Sequence, residues 1–424
     1  MPGRVDRMLP PLALALLGLS LGSCARPTPG RAVAVASPAT APVQIDRLSV
    51  LRAADEAGFA LADTARHFEF PQDHGPHPRF RHEWWYFTGQ LRGAGETFGF
   101  ELAVFRLALR PPPSTTQGRT APAGSVAALS GWRARQVYAA HFAITDVSRR
   151  SFVNATRYAR DALNLAGAQA QPFAIHVADW SVVEAPGGPP PGSGPLHWQL
   201  QAADGDYQLW LDLRGAQPPV LNGAAGLSRK ADAPGAASYY YSMPRLQGAG
   251  SLRRQGISLP VSGVVWLDRE WGSGSLGIEQ QGWDWFALDL DDGSTLMFYA
   301  LRDHDGRRDV HSAGTFVDAA GHATPLLNDD VEIAVQRHWR SPHGGQYPAQ
   351  WALRVRSLDL RLTVTPLLAD QELLTQPRYW EGAVQVTGQR HGTRVGAQGY
   401  VELVGYAQNQ ASPSVPSAST APTH

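Results

Sequence analysis

From His82 onward, apolar and polar residues alternate in short runs, the period-two pattern of β-strands. Trp84-Trp85-Tyr86-Phe87 and residues 98–105 read as two strands around Gly93-Ala94-Gly95. Residues 137–145 and 151–158 form a second candidate pair. Residues 196–201 and 207–213 flank Asp204-Gly205, and residues 283–290 and 295–301 flank Asp291-Asp292-Gly293; both connections carry the Asp-Gly signature of a tight hairpin. No long amphipathic helix interrupts the series, so an all-β sandwich or barrel is expected. Only Ile45, Leu48 and Leu51 have helical spacing, which predicts a short helix where the ordered region opens.

The strand pattern also repeats. Trp84-x-Tyr86-Phe87-x3-Leu91 aligns with Trp283-x-Trp285-Phe286-x3-Leu290, and Gly263-x-Val265-x-Leu267 aligns with Gly399-x-Val401-x-Leu403. Two β domains of one plan are expected, 45–272 and 277–407.

The ends of the chain are of another kind. Arg4 and Arg7 precede an apolar run at 12–21, too short to span a bilayer but suited to a signal sequence. The run closes on Leu21-Gly22-Ser23-Cys24, the pattern of a bacterial lipobox, so residues 1–23 read as a cleaved leader and Cys24 as the lipid-bearing residue. The alternative is an ordinary secretory signal with a chance cysteine. Ala25, rather than Asp, follows Cys24, which favours the periplasmic face of the outer membrane. Residues 24–44, rich in Pro, Ala and Thr, read as a flexible tether, and 408–424 as a disordered tail. Cys24 is the only cysteine in 424 residues, which excludes an internal disulfide and a cysteine-built metal site.

Lys+Arg and Asp+Glu are both 37, and Lys230 is the only lysine, the usage expected of GC-rich coding. No basic run suggests a nucleic-acid surface. The 13 tryptophans are the more telling surplus, because so large a side chain serves a core, an interface or an apolar pocket.

Specific runs then carry a resemblance. They are Asp73-His74-Gly75-Pro76-His77-Pro78 with Glu83-Trp84-Trp85-Tyr86; Gln136-Val137-Tyr138-Ala139-Ala140-His141-Phe142; and Asn222-Gly223 with Gly226-Leu227-Ser228. Further along come Ser238-Tyr239-Tyr240-Tyr241-Ser242, Trp266-Leu267-Asp268-Arg269-Glu270-Trp271-Gly272, Gly282-Trp283-Asp284-Trp285-Phe286, Tyr379-Trp380-Glu381-Gly382 and Gly399-Tyr400-Val401-Glu402-Leu403. In this the chain resembles the hydroxyneurosporene synthase (carotenoid 1,2-hydratase) family and its AttH-like, lipocalin-like relatives. The resemblance implies two lipocalin-like, calycin-type antiparallel β-barrel domains packed together. It implies an apolar ligand, an isoprenoid or lipid, since the family's characterised chemistry adds water to a carotenoid double bond. It also implies an ABC-type permease as a partner, because relatives are often encoded beside exporter permeases. One departure stands out: Arg269 occupies a position where the family pattern commonly carries His, and arginine cannot shuttle protons.

Hydration of a branched alkene needs a protonated acid, a dry pocket and electron-rich walls, and calls for no metal and no cofactor. Asp268 and Glu270, at i and i+2 on a strand, would point the same way. Crowded beside Trp266 and Trp271, they would resist double ionisation, raising one pKa. The alternative is that Asp268 pairs with an arginine and pins a barrel end. Glu83 is a second candidate acid, or else a strand-end charge bonded to an arginine. Trp84, Trp85, Tyr86, Tyr240, Trp271, Trp283 and Trp285 are candidate ligand-binding aromatics able to stabilise a cation, or else core filling. His141 could position water, or be a satisfied core histidine.

Other patterns lack their context. The G-x-G-x-x-G run at 272–277 is followed by strand-like sequence rather than a helix, and Ser275 has serine where a nucleophile elbow needs glycine. His74, His77 and His82 lie around Pro76 and Pro78 and are expected to cap a barrel mouth rather than hold a metal. Three readings follow: a cofactor-independent hydratase, a non-catalytic lipid carrier, and a purely architectural platform for a partner protein.

Overall fold

The computed structural model describes residues 57–112, 134–187, 195–274, 276–375 and 378–407. The leader, Cys24, the tether, the expected helix at 45–51, Ser275 and the tail lie outside the described residues.

The regular structure of the described chain is almost entirely antiparallel β-strand. The first sheet contains β1 (His82–Gly93), β2 (Glu96–Ala108), β3 (Gln136–Asp146), β4 (Ser151–Arg160), β5 (Ala166–Gln169), β6 (Ala174–Val177), β7 (Trp180–Glu184), β8 (Leu196–Asp204), β9 (Tyr207–Gly215), β10 (Val220–Leu221), β11 (Leu227–Arg229), β12 (Ala237–Arg254) and β13 (Ile257–Gly272). Its order is β4-β3-β2-β1-β13-β12-β9-β8-β7-β6-β5, and it curls until β3 and β4 lie against β5 and β6, a nearly closed barrel.

The second sheet contains β14 (Gln280–Leu290), β15 (Thr295–Asp303), β16 (Ala313–Val317), β17 (Ala323–Leu327), β18 (Val331–Arg340), β19 (Gln346–Val355), β20 (Leu360–Pro366), β21 (Glu372–Leu373), β22 (Tyr379–Arg390) and β23 (Thr393–Val404). Its order is β17-β16-β15-β14-β23-β22-β20-β19-β18. It is a half-barrel: its edges β17 and β18 are joined by the turn Asn328–Asp330 but share no ladder among the described residues. Both edges are largely exposed; β17 is short and carries Pro325, and β18 carries Arg337, His338 and Arg340, features that blunt them against further pairing.

The hairpins read from the sequence are present. Ala94 and Gly95, both at positive φ, turn β1 into β2, as a two-residue hairpin of matching twist requires. The internal repeat has a structural counterpart too. β1 and β13 are the first and last strands of one sheet and pair with each other, as β14 and β23 do in the other. The repeated glycines occupy matching places: a Cβ on Gly263 would lie 1.9 Å from the Gln90 carbonyl, and one on Gly399 2.2 Å from that of Ala287. Each marks where two backbones approach too closely for a side chain.

The first barrel is filled rather than hollow. Trp85, Phe87, Leu267, Trp271, Tyr241, Trp198 and Phe142 belong to one buried cluster. Residues 57–81 close it from one end: Phe68 meets Trp271 edge-on at 5.5 Å, and the His77 ring stacks on Trp271 at 3.7 Å. His74 shares a hydrogen bond of 2.7 Å with Tyr241, and its carbonyl accepts from the Trp85 indole. The histidine-proline loop is thus a plug, as expected. Its histidines are spent on the barrel, and burial pushes the pKa of both His74 and His82 down to about 3, so both are neutral in the fold.

The outer face of β1, β2 and β13 is also buried, because β14, β15, β22 and β23 pack across it. Tyr86, Ala103, Tyr240, Trp266, Trp285, Tyr299 and Tyr400 form a core between the sheets. Polar groups stitch the same seam: Gln90 Nε2 donates to the Val384 and Gly399 carbonyls, and Thr145 Oγ1 donates to Gln371 Oε1 at 2.7 Å.

Candidate active site

On β13 the alternation of side chains divides the chemistry. Leu267, Arg269 and Trp271 face the plugged barrel, whereas Trp266, Asp268 and Glu270 face the seam between the sheets. There a cavity is lined by Trp84 and Tyr86 from β1, Asp268 and Glu270 from β13, Tyr240 from β12, Trp283 and Trp285 from β14, and Tyr299 and Leu301 from β15, with Lys230, Leu276 and Glu402. It leaves about 610 Å³ unfilled by protein atoms, its open mouth included.

Asp268 is 3% exposed. Its Oδ1 accepts from Ser242 Oγ at 2.5 Å and Trp266 Nε1 at 2.7 Å, and its Oδ2 from the Tyr240 hydroxyl. Burial pushes its pKa up to about 7; the three donors oppose that shift and the nearby charge of Glu270 adds to it. The carboxyl is therefore protonated in a large fraction of molecules near neutral pH. Its donors are held in turn. Asn222 Nδ2 donates to Ser242 Oγ at 2.8 Å, and Thr315 Oγ1, from the second sheet, donates to Asn222 Oδ1 at 2.8 Å. Trp285 Nε1 donates to the Tyr240 hydroxyl at 3.2 Å, and burial, with Asp268 and Glu270 beside it, keeps that phenol protonated.

Glu270 accepts from Ser238 Oγ and lies 3.4 Å from Lys230 Nζ. Burial disfavours the charge on Lys230, but Glu270 and Tyr299 outweigh it and raise its pKa, so the ammonium stays charged. Its Nζ sits 3.7 Å from the centre of the Tyr299 ring and 5.2 Å from that of Tyr240.

Asp268, Glu270, Trp84, Tyr86, Tyr240, Trp283 and Trp285 thus line one cavity. Four other candidates do not. Glu83 faces the plugged barrel, bonded to Arg106 and Arg269 and to the His77 amide at 3.0 Å. Burial would raise its pKa, but the two guanidiniums reverse that and hold it well below the carboxylate range, so it has no proton to give near neutrality. Trp85 and Trp271 lie in the barrel core, with the Arg269 guanidinium 3.8 Å from the centre of the Trp85 ring. His141 is on the seam side but outside the cavity, its Nδ1 2.5 Å from the Tyr379 hydroxyl. Arg269 pairs with Glu83 rather than pinning Asp268, so its departure from the family pattern bears on the barrel core and not on the cavity. Among the described residues, no group of His, Cys, Asp and Glu is arranged to hold a metal ion.

Sequence reasoning missed Lys230, Tyr299, Leu301 and the supporting serines. Lys230 had a signal: it is the one lysine in a chain that otherwise uses arginine for every positive side chain but histidine.

The AttH-like family profile matches residues 61–406. The chain belongs to the AttH-like family. A crystal structure of an AttH-type protein from Nitrosomonas europaea is similar to this member at 33% identity and a TM-score of 0.70, covering 82% of this chain and 100% of that one. Kievitone hydratase from Nectria haematococca shares the fold at 14% identity and a TM-score of 0.59, over 82% of this AttH-like chain and 98% of its own. The dehydratase asqC of Emericella nidulans is 22% identical over 217 residues, which are 49% of this chain and 60% of the relative. The match therefore spans less than two thirds of that curated relative.

Proposed function

We propose that this AttH-like protein adds water to, or removes water from, an apolar chain, an isoprenoid or lipid, with Asp268 as the proton donor. The observation that carries the reading is Asp268 itself: a carboxyl with its pKa raised to about 7, set in an aromatic-walled cavity and oriented by three donors. A general acid works best when its pKa lies near the working pH. The names of two relatives, a hydratase and a dehydratase, support the same class of reaction.

The test is isotopic. Purified protein is incubated in H2(18)O and D2O with acyclic isoprenoid alkenes, with and without a conjugated carbonyl, and separately with the corresponding alcohols. From the alkenes, product carrying one added 18O and one carbon-bound deuterium per molecule is expected; from the alcohols, an alkene that has lost its oxygen as water. Label that never enters, together with lipid that stays bound through purification, would instead mark a carrier handing an amphiphile to an ABC-type permease.

The reading includes a membrane address. Cys24 follows a lipobox-like run, so we infer lipid attachment there, at the periplasmic face of the outer membrane. Radiolabelled palmitate fed to expressing cells should label the wild type and not Cys24→Ser. Equal labelling of both would remove the anchor.

A further inference from the structure

Lys230 bears on which substrates the proposed reaction can take. Its ammonium is fully charged and lines the same cavity as Asp268. Its Nζ lies 3.4 Å from Glu270 Oε1 and 3.7 Å from the centre of the Tyr299 ring. An ammonium has three N–H donors, and a hydrocarbon alkene offers none of them an acceptor. Protonating such an alkene would build a carbocation that the Lys230 ammonium, its charge balanced by Glu270, does nothing to stabilise. An oxygen that becomes more negative during the reaction has the right sign, and a donor fixed beforehand at that oxygen is an effective form of catalysis.

We propose that the substrate carries a carbonyl group conjugated to the reacting carbon–carbon bond, its oxygen held by Lys230, so that water is added or lost through an enolate rather than a carbocation. The proposal rests on the reading of the cavity as a site of water addition or removal.

In the elimination direction, the Glu270 carboxylate takes the proton from the carbon next to the carbonyl. The C–H electron pair moves into the new double bond by way of the enolate whose oxygen accepts from Lys230. The β-carbon–oxygen bond breaks, and Asp268 gives its proton to the departing hydroxyl, so that water leaves. One proton has gone to Glu270 and one has left Asp268; exchange with solvent restores both, and no oxidant, reductant or cofactor enters. Hydration is the reverse. Tyr86, Trp84, Trp283 and Trp285 then serve to exclude water and hold the chain, a role independent of charge.

The test compares matched probes on the full chain. Benzalacetone is a conjugated ketone and allylbenzene an unconjugated alkene of similar size. On binding the wild type, the ultraviolet absorption of benzalacetone should shift to the red, because a hydrogen bond from an ammonium polarises the enone. Its hydration, followed by 18O uptake, should exceed that of allylbenzene by at least about 10²-fold, and Lys230→Met should lower it by about 10²-fold, the scale seen when one oxyanion donor is removed. Lys230→Arg should recover part of the loss. Because Lys230→Met leaves Glu270 buried without its partner, Lys230→Met/Glu270→Gln provides a charge-balanced variant in which the red shift alone is read, and it should be absent. No red shift in the wild type, from lack of binding or otherwise, would overturn the inference, as would a shift that survives in either methionine variant. Turnover of allylbenzene equal to that of the ketone, and lost in Asp268→Asn, would overturn this inference while keeping the proposed function. An intact shift with no turnover of either probe would remove the proposed function while keeping the carbonyl contact.

Discussion

Asp268→Asn is expected to lower turnover by about 10²–10⁴-fold, the contribution typical of a positioned general acid. The amide keeps the shape of the carboxyl and its contact with the cavity but cannot give up a proton to the substrate. Ligand affinity should therefore change little while kcat collapses. In the direction in which Asp268 gives up its proton, the wild-type rate should be level on the acid side of about pH 7 and fall about tenfold per pH unit above it, since only the protonated carboxyl can donate. The residual rate of the variant should lack that fall. Stability carries the same signature with a definite sign. A carboxyl whose folded pKa is raised contributes most below its unfolded value of 3.8, and that contribution is lost as pH rises to about 7. Denaturant midpoints of the wild type should include a decline across this window that the asparagine variant lacks. Wild-type turnover in Asp268→Asn, or an unchanged pH profile, would end the acid assignment.

Glu83→Ala should act on the fold instead. Its carboxylate sits between Arg106 and Arg269, all three side chains buried. Removing one partner of a buried ion pair costs about 3–5 kcal/mol, because the remaining charge is left in a medium that cannot solvate it. Here two guanidiniums lose their counter-charge at once, and the plug loses the carboxylate that holds the His77 amide. Urea unfolding should show the loss directly; a change below about 1 kcal/mol would mean that water reaches the arginines. The pH sign is opposite to that of Asp268. The folded pKa of Glu83 is depressed, so its contribution is present above its ordinary value of 4.5 and vanishes as pH falls. His74 and His82, neutral in the fold down to about pH 3, add to this limb from 6.5 downward, because the unfolded chain takes up protons that the fold refuses.

These two carboxylates show what the sequence could and could not reveal. Period two alone places Asp268 and Glu270 on one side of a strand, and they do share a cavity. The same rule puts Trp85 and Trp271 on the opposite sides from Trp84 and Glu270, but it does not say which side holds the ligand. On most half-buried strands polarity would decide. On β1 both faces are buried, one in the barrel and one against the second sheet, so aromatic residues occupy both. The Glu83–Arg106 pair was within reach: with Ala94 and Gly95 as the turn, residue 83 falls opposite 106 in the β1–β2 ladder. Arg269 was not, because its pairing depends on the long-range union of β1 with β13. Lys230 and Tyr299 meet only when the two sheets pack, and no local pattern encodes that contact. Its rarity was the trace it left.

The two-sided β13 has an evolutionary consequence. Under the proposed function, catalytic and structural demands fall on alternate residues of one strand, so mutations that tune the reaction need not pass through the barrel core. The far wall of the cavity, Trp283, Trp285, Tyr299 and Leu301, comes from the second sheet. A lineage can therefore trade one substrate for another by altering that wall while inheriting the acid unchanged. Divergence of appetite without loss of chemistry is open to a site whose proposed acid sits on one half and much of whose wall comes from the other.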